Sequence, residues 1–428
     1  MRNRAAALAA CLLVIASPAR PDAPLTLDDA MTRVVAAHPQ LRAFEPLSAV
    51  REAERAEAAL PPALAAGASL ENAFGTGDAR LLTGMELTLS LASVLERETK
   101  PAARVELARR RVDALATHRA AARLDLLAET ARRYLDVIHA RAQHAIAATD
   151  VAQRQRSING ARQRVQAGAT PTSELLAAEA AHARAQIALA RSAGRQEAAR
   201  LQLAALWGEH APNFEIAAAN PLELPAIAGV ATLTALLDNN PELVTFADEQ
   251  RIREARLQLA RTAAIPDLAW EVGVRRLENS GDFALVGSLS MPLDTRRYAA
   301  PAIDAARAEL VALGIDREVR ALSLRSTLLA AHGRYSGARD EALTLHRDVL
   351  PMLGRAERAA EEAYRAGAAS YLAWAQLQAE RIETARQALD VALDAQRALI
   401  EIQRLTGEPF VAAAAPATTT PDLQGATQ

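Results

Sequence analysis

The side chains that most often carry chemistry in proteins are few and scattered in this 428-residue chain. Its eight histidines include one close pair, His139 and His144, but a spacing of five does not place two rings on one helix face as a zinc-binding i, i+4 pair requires. The sequence contains no glycine-rich phosphate loop, no nucleophile elbow and no cluster of metal ligands. It therefore predicts no catalytic residue, no metal site and no cofactor, and an enzyme is the least favoured function.

Three charged residues have a spacing that suits a water-filled pore instead. Glu86 lies in the run 85–91, where apolar and polar residues alternate, and Glu271 and Arg275 lie in a similar run at 268–277. Because successive side chains of a strand point to opposite faces, this alternation is typical of the wall of a membrane β-barrel. We expect these three residues to face the lumen, while Trp270 and its apolar neighbours face lipid.

Each of these runs pairs with a second alternating run, at 64–71 and 283–291, across residues typical of turns. The sequence thus predicts two hairpins with four strands of about 10 residues, a length that crosses a bilayer when tilted. Four strands cannot close a barrel, because single-chain barrels begin at about eight, and an open sheet in lipid would leave edge amides unpaired. Three copies would supply twelve strands, which predicts a homotrimer.

The remainder of the chain has the composition and pattern of long helices. Hydrophobic residues make up 50% of the sequence but aromatic residues only 3%, and alanine, the best helix former, dominates. A helix is predicted from Thr99 to Gly168, followed by a tight turn in which Thr170 caps the next helix and Pro171 begins it. A similar turn is predicted at Gly367. The helix before that second turn is predicted to break or kink at five residues: Gly314, Gly333, Gly337, Pro351 and Gly354.

The two turns belong to a long internal duplication. The motif Val165-Gln166-Ala167-Gly168 and the motif Tyr364-Arg365-Ala366-Gly367 lie 199 residues apart without a gap. A helix beginning near Leu27, interrupted at His38-Pro39, also has a counterpart interrupted at Asn240-Pro241. We predict four segments: a signal peptide at 1–19, a first structural repeat at 20–217, a second repeat at 218–410 and a disordered tail at 411–428.

The N-terminal residues have the composition of an export signal. Arg2 and Arg4 precede an apolar stretch and the small-residue cleavage site Ser17-Pro18-Ala19. The only cysteine, Cys11, follows Leu8-Ala9-Ala10 as in a lipobox, but the apolar run continues past it, so lipidation of Cys11 is the less favoured alternative to its removal. The net charge of −2 argues against a nucleic-acid partner held by bulk electrostatics.

The predicted fold class is mainly α with a small β part. Duplicated helical hairpins would form an α-barrel, and two β-hairpins would contribute to a trimeric 12-stranded membrane β-barrel. In its opening residues 25–30, its paired turns and its duplicated hairpins, the chain resembles the TolC-type outer-membrane efflux factors. The region 273–286 is most similar to the cobalt-zinc-cadmium subgroup of that family.

This resemblance implies a trimeric channel in the outer membrane that extends into the periplasm. The channel would receive substrate, divalent metal cations by the subgroup, from a resistance-nodulation-division type inner-membrane pump through a periplasmic adaptor. The resemblance also implies that the adaptor docks on the two turns, at Gly168, Ala169, Thr170, Gly367, Ala368 and Ala369.

The periplasmic mouth departs from the pattern of the family. An acidic pair in the best-known members corresponds here to Ala373 and Gln376, whereas the tyrosine before the glycine is present as Tyr364. Glu174, on the equivalent helix of the first repeat, is the substitute candidate at the mouth. Its alternative role is to stabilise the helix dipole in the first turn.

Other functions stay open at this stage. A channel for drug or organic-solute efflux, or for type I secretion, would have the same architecture. A periplasmic adaptor would have one helical hairpin flanked by β-rich halves, and a coiled-coil rod would have sustained heptads and no alternating strands.

Overall fold

The computed structural model describes residues 24–410, in which very long helices extend from one end of a four-stranded sheet. The expectations for residues 1–19, including Cys11, and for the tail at 411–428 lie outside the described residues. The boundary between the two repeats, near residue 217, stays a prediction.

The chain opens with a helix that is interrupted as expected. Helix α1 spans Leu27–Ala37, α2 spans Pro39–Arg42 and α3 spans Phe44–Ala58. Thr26 caps α1 by a capping box, in which its hydroxyl accepts from the Asp29 amide and the Asp29 carboxylate accepts from the Thr26 amide, both at 3.1 Å. The interruption falls at His38 because the residue before a proline is driven to extended backbone.

The first hairpin of helices is the longest feature of the fold. Helix α4 spans Thr99–Gln166, and its 68 residues make it about 100 Å long. Helix α5 spans Thr172–Ala204 and packs back along α4. Pro171, not Thr170, is the N-cap residue of α5, so the predicted cap at Thr170 is wrong by one residue.

The second half contains five further helices: α6 Val230–Leu236, α7 Pro241–Thr262, α8 Thr295–Thr344, α9 Leu350–Arg365 and α10 Tyr371–Thr406. Asn240, before α7, takes the place that His38 has before α2, and its side chain accepts from the Glu242 amide at 2.8 Å. The same side chain donates to the Leu405 carbonyl at 2.8 Å, which ties α7 to the end of α10.

The prediction that the helix before the second turn breaks at its glycines is wrong. Helix α8 runs unbroken past Gly314, Gly333 and Gly337, and Gly354 lies inside α9, because a helical glycine costs only about 1 kcal/mol and packing overrides it. The helix is disturbed only near Pro351, where a π-helical turn spans Leu345–Val349. A proline cannot donate to the carbonyl four residues back and its ring crowds that carbonyl, so the wider turn accommodates it.

The four strands form one antiparallel sheet in chain order. Strands β1 (Ala65–Glu71), β2 (Glu86–Leu95), β3 (Leu268–Leu277) and β4 (Phe283–Ser290) confirm the four predicted alternating runs. The β2–β3 pairing joins the two halves of the chain. Within residues 24–410, β1 and β4 each keep one unpaired edge.

The helices pack around two large apolar cores, each of which contains one buried tyrosine. The Tyr134 hydroxyl donates to the Leu25 carbonyl at 3.0 Å, and the Tyr335 hydroxyl donates to the Pro225 carbonyl. Burial raises the pKa of both phenols to about 12, so both stay protonated as donors. Among the described residues, no helix is both long and apolar enough to cross a bilayer.

Two arginines, Arg404 and Arg320, tie four helices together. Arg404 of α10 contacts Glu401 at 2.8 Å, Glu242 of α7 at 3.0 Å and Asp125 of α4 at 3.1 Å. Arg320 of α8 also pairs with Glu242. Burial alone would raise the pKa of Glu242 and of Glu401, but the hydrogen bonds from their arginine partners outweigh it and lower both pKa values.

Replacing Arg404 by methionine should destabilise the fold and weaken its pH dependence. The variant removes one of two arginine partners from each of the partly buried carboxylates Glu242 and Glu401, which costs about 1.5–3 kcal/mol. Because the folded pKa values are lowered, the native network contributes stability above about pH 4.3, and this is lost as the pH falls through the folded values. Thermal unfolding at pH 7 and pH 4 measures both effects, with Arg307→Met, in an exposed pair with Asp304, as the control. If stability changed equally with pH in the native protein and in Arg404→Met, this role of Arg404 would be refuted.

Candidate functional site: a two-faced sheet and paired helical tips

The sheet has one polar and one apolar face, and the apolar face is the exposed one. The register places Glu86, Thr88 and Ser90 of β2 opposite Leu277, Arg275 and Gly273 of β3 on the polar face. Thr88 is only 6% exposed, whereas Leu285 and Leu289 on the apolar face are 84% and 74% exposed. The exposed apolar side chains extend over all four strands: Leu70, Leu89, Leu91, Val272, Val274, Phe283, Leu285 and Leu289. A continuous apolar patch of this kind marks a lipid or protein contact surface.

The polar face carries a charge cluster near the end of the sheet that lies away from the helices. Arg275 contacts Glu86 at 2.7 Å, Glu71 at 3.3 Å and the Thr88 hydroxyl at 3.0 Å. Glu71 lies directly opposite Glu86, so the arginine separates two carboxylates that would otherwise repel each other. Glu271 lies on the same face and has no ion-pair partner among residues 24–410. Sequence analysis placed Glu86, Glu271 and Arg275 on one strand face but missed the contact with Glu71.

The two predicted turns have the same backbone geometry. At the first tip, the Ala169 amide donates to the Arg164 carbonyl at 2.9 Å, and at the second the Ala368 amide donates to the Ala363 carbonyl at 2.8 Å. Both tips end their helix with a Schellman motif, which requires a left-handed residue. Gly168 and Gly367 supply it, with φ of +67° and +81°.

The surfaces of the tips are made of very small residues. Gly168 and Ala169 at the first tip, and Gly367 and Ala368 at the second, are exposed, while Thr170 and Ala369 are half-buried. A Cβ atom built on Gly168 would meet nothing within 4 Å. A partner could therefore approach the backbone of both tips closely.

An aromatic cluster lies directly behind the second tip. Tyr364, Tyr371 and Trp374 are each at most 5% exposed, and the Tyr364 and Trp374 rings are stacked with centroids 5.4 Å apart. The Tyr371 ring meets both others at steep angles, with centroids 6.1 and 6.4 Å away. Sequence analysis singled out only Tyr364 of this cluster.

Tyr364 also connects the two tips of one chain. Arg164 of α4 donates to the Tyr364 carbonyl, and its guanidinium lies 4.8 Å from the Tyr364 ring centroid. On α5, the Glu174 carboxylate accepts from the Tyr364 hydroxyl at 3.2 Å. Burial, and then the charge of Glu174, raise the pKa of Tyr364 to about 12, which keeps this hydroxyl a donor.

The predicted residues of the mouth divide into two groups. The structure brings Glu174 and Tyr364 into contact, whereas Ala373 and Gln376 are exposed on α10 and take no part in that contact. Glu174 and Ala373 lie 199 residues apart, so the acid occupies the position in the first repeat that alanine occupies in the second. The 199-residue offset of the duplication is enough to predict this correspondence from the sequence. It does not predict that Arg164 contacts Tyr364.

A long helical body that ends in two linked tips and continues into an open, two-faced sheet agrees with the fold class predicted from the sequence. The family model described as outer membrane efflux protein matches residues 33–209. Over these residues the chain is similar to the outer membrane efflux protein family, as the resemblance in the sequence predicted, and the solved structures confirm the fold class.

Individual relatives and solved structures show the same similarity. The cobalt-zinc-cadmium resistance protein CzcC of Cupriavidus metallidurans is 29% identical over 282 residues, which cover 64% of this chain. The match spans 65% of the length of that relative, slightly under two thirds. The CusC structure superposes with a TM-score of 0.74 at 17% identity, covering 89% of this chain and 91% of that one. The open-state MtrE channel of Neisseria gonorrhoeae gives 0.69 at 19% identity, covering 90% and 89%.

Proposed function

We propose that this protein is the outer-membrane channel of a tripartite efflux system and passively conducts divalent metal cations from the periplasm to the exterior. The observation that carries the proposal is the sheet, whose exposed face is apolar and whose two edges are unpaired. In lipid, unpaired edge amides cost several kcal/mol each, so β4 of one copy pairs with β1 of the next. Three copies close a twelve-stranded wall with the polar face toward the lumen.

The rest of the chain fits this assembly. The helices continue the wall into the periplasm as a hollow rod, and Glu86, Glu271 and Arg275 face water inside the barrel. The exposed tips dock on a periplasmic adaptor, through which an inner-membrane pump delivers the substrate. The metal assignment is supported by the name of the relative from Cupriavidus metallidurans, a cobalt-zinc-cadmium resistance protein.

A deletion strain tests this function and its substrate. Loss of the gene should lower tolerance to zinc, cobalt and cadmium, with dye tolerance unchanged, and a plasmid copy should restore it. Loss of tolerance to dyes and other organic compounds alone would replace the metal assignment with organic-solute efflux. Unchanged tolerance to both groups in an otherwise efflux-deficient strain would contradict an efflux role.

The link between the tips predicts how the periplasmic mouth opens. Tyr364→Phe keeps the stacked ring but removes the hydrogen bond to Glu174, and a hydrogen bond to a charged group contributes about 1.5 kcal/mol or more. The open fraction of channels in a planar bilayer should therefore rise about tenfold. Tyr371→Phe is the matched control, because the Tyr371 hydroxyl is buried and has no partner among the described residues. Equal open fractions in the two variants would show that the link does not hold the mouth.

A further inference from the structure

The two hairpins of the sheet have very different outer connections. Strands β3 and β4 are joined by the tight turn at 278–282, in which Gly281 has φ of +74°. Strands β1 and β2 are joined by fourteen residues, 72–85. In this longer connection, three residues other than glycine have positive φ: Asn72 at 51°, Phe74 at 59° and Leu81 at 54°. Bulky residues rarely adopt this conformation, and where they do, the surrounding structure holds them in it.

The first of these residues turns the connection toward the polar face of the sheet. Strand alternation would place Asn72 beside Leu70 on the apolar face. Instead, the Asn72 side chain donates to the Glu86 carboxylate at 3.0 Å, on the polar face. Glu86 is itself held by Arg275, which also holds Glu71. The charge cluster on the polar face therefore anchors the root of the connection.

The connection then presents apolar side chains beyond the end of the sheet. The Phe74 amide donates to the Leu81 carbonyl at 2.7 Å and the Gly75 amide to the Ala79 carbonyl at 2.8 Å, which fixes the connection as a narrow hairpin. Phe74, Leu81 and Leu82 are 71%, 66% and 45% exposed. All three side chains remain exposed among residues 24–410.

The dimensions of the assembly bring these residues close to its axis. Twelve strands spaced about 4.8 Å apart and tilted by about 40° form a wall with a radius of about 12 Å. Phe74 lies three residues beyond the end of β1, and three extended residues reach about 10 Å. A hairpin that leans over the polar face thus has the length to meet its two symmetry mates.

We infer that the 72–85 hairpins of three copies meet over the outer end of the lumen and form an apolar constriction from Phe74 and Leu81. The surface that each hairpin exposes is covered by the same hairpin of the other two copies. This inference rests on the proposed trimeric channel. A ring of apolar side chains resists wetting, so it limits the leak of polar solutes into the channel from outside.

Disulfide trapping tests the contact in the assembled protein. Phe74→Cys in purified outer membranes, treated with a mild oxidant, should give disulfide-linked dimers on a non-reducing gel. Leu285→Cys, at a position that is even more exposed but lies on the apolar face, should give no dimers. The native chain treated in the same way controls for Cys11. Asn72→Leu, which removes the bond to Glu86, should reduce crosslinking of Phe74→Cys at least several-fold.

A native gel of the same membranes separates the two proposals. A trimer without Phe74→Cys crosslinks, or labelling of that cysteine by a maleimide confined to the lipid, overturns the constriction and leaves the channel standing. Absence of a trimer overturns the proposed function and the constriction with it.

Discussion

Replacing Gly168 by arginine should abolish efflux and leave the amount of assembled channel nearly unchanged. A side chain at this position enters open space at the tip, so it does not disturb the packing of the helices. The left-handed backbone costs an L-residue about 1–2 kcal/mol, a small fraction of what these long packed helices contribute. A large charged side chain, however, would block close approach of the proposed adaptor to the tip. Metal tolerance should fall to that of the deletion strain, while the trimer band from outer membranes stays within about twofold of native.

The matched control for this experiment is Gly208→Arg. Gly208 ends the helical segment that follows α5, is exposed, has φ of +79° and has nothing within 4 Å of its Cβ position. It therefore imposes the same backbone strain far from the tips. If Gly208→Arg abolished tolerance equally, strain rather than docking would explain the result, and normal tolerance in Gly168→Arg would rule out docking at the first tip.

Replacing Gly273 by alanine should prevent assembly of the barrel. A Cβ atom at this position would lie 2.7 Å from the Leu89 carbonyl oxygen and 2.9 Å from the Ser90 Cβ atom, on the neighbouring strand. A backbone atom cannot yield as a flexible side chain can, so the β2–β3 pairing must open or shift, at a cost of about 1–3 kcal/mol or more. This pairing is the junction between the two halves of the chain, and its loss leaves two separate hairpins.

The amount of trimer in the outer membrane measures this effect. Gly287→Ala is the control, because its Cβ atom would come no closer than 3.7 Å to the neighbouring strand, at the Glu271 carbonyl. We expect at least a fivefold loss of trimer for Gly273→Ala and a near-native amount for Gly287→Ala. Equal amounts of trimer in the two variants would mean that the sheet tolerates a shift in the β2–β3 pairing.

Much of this fold was readable from the sequence because its signals are local. The alternation in 85–91 and 268–277 depends only on neighbouring residues, and the structure places both runs in strands. The glycines of the two tips were equally informative, since a left-handed residue is needed wherever a helix reverses in so few residues. The glycines inside α8 gave a false signal because packing against α7 and α10 keeps that helix continuous.

The features that escaped sequence analysis depend on contacts between distant residues. Arg164 and Tyr364 are 200 positions apart, and neither belongs to a motif that predicts their contact. The same holds for Glu71 and Arg275, which lie on strands from different halves of the chain. Only the three-dimensional arrangement shows that Asn72 leaves the apolar face, because strand alternation alone predicts the opposite.

The most direct test of this account is the number of chains in the particle extracted from outer membranes with mild detergent. Native mass spectrometry should find three chains, and the same particles should form ion-conducting pores in a planar bilayer. A single chain that stays dissolved in water without detergent would contradict the account, since it would show that the apolar strand face and the open strand edges need neither lipid nor sister subunits.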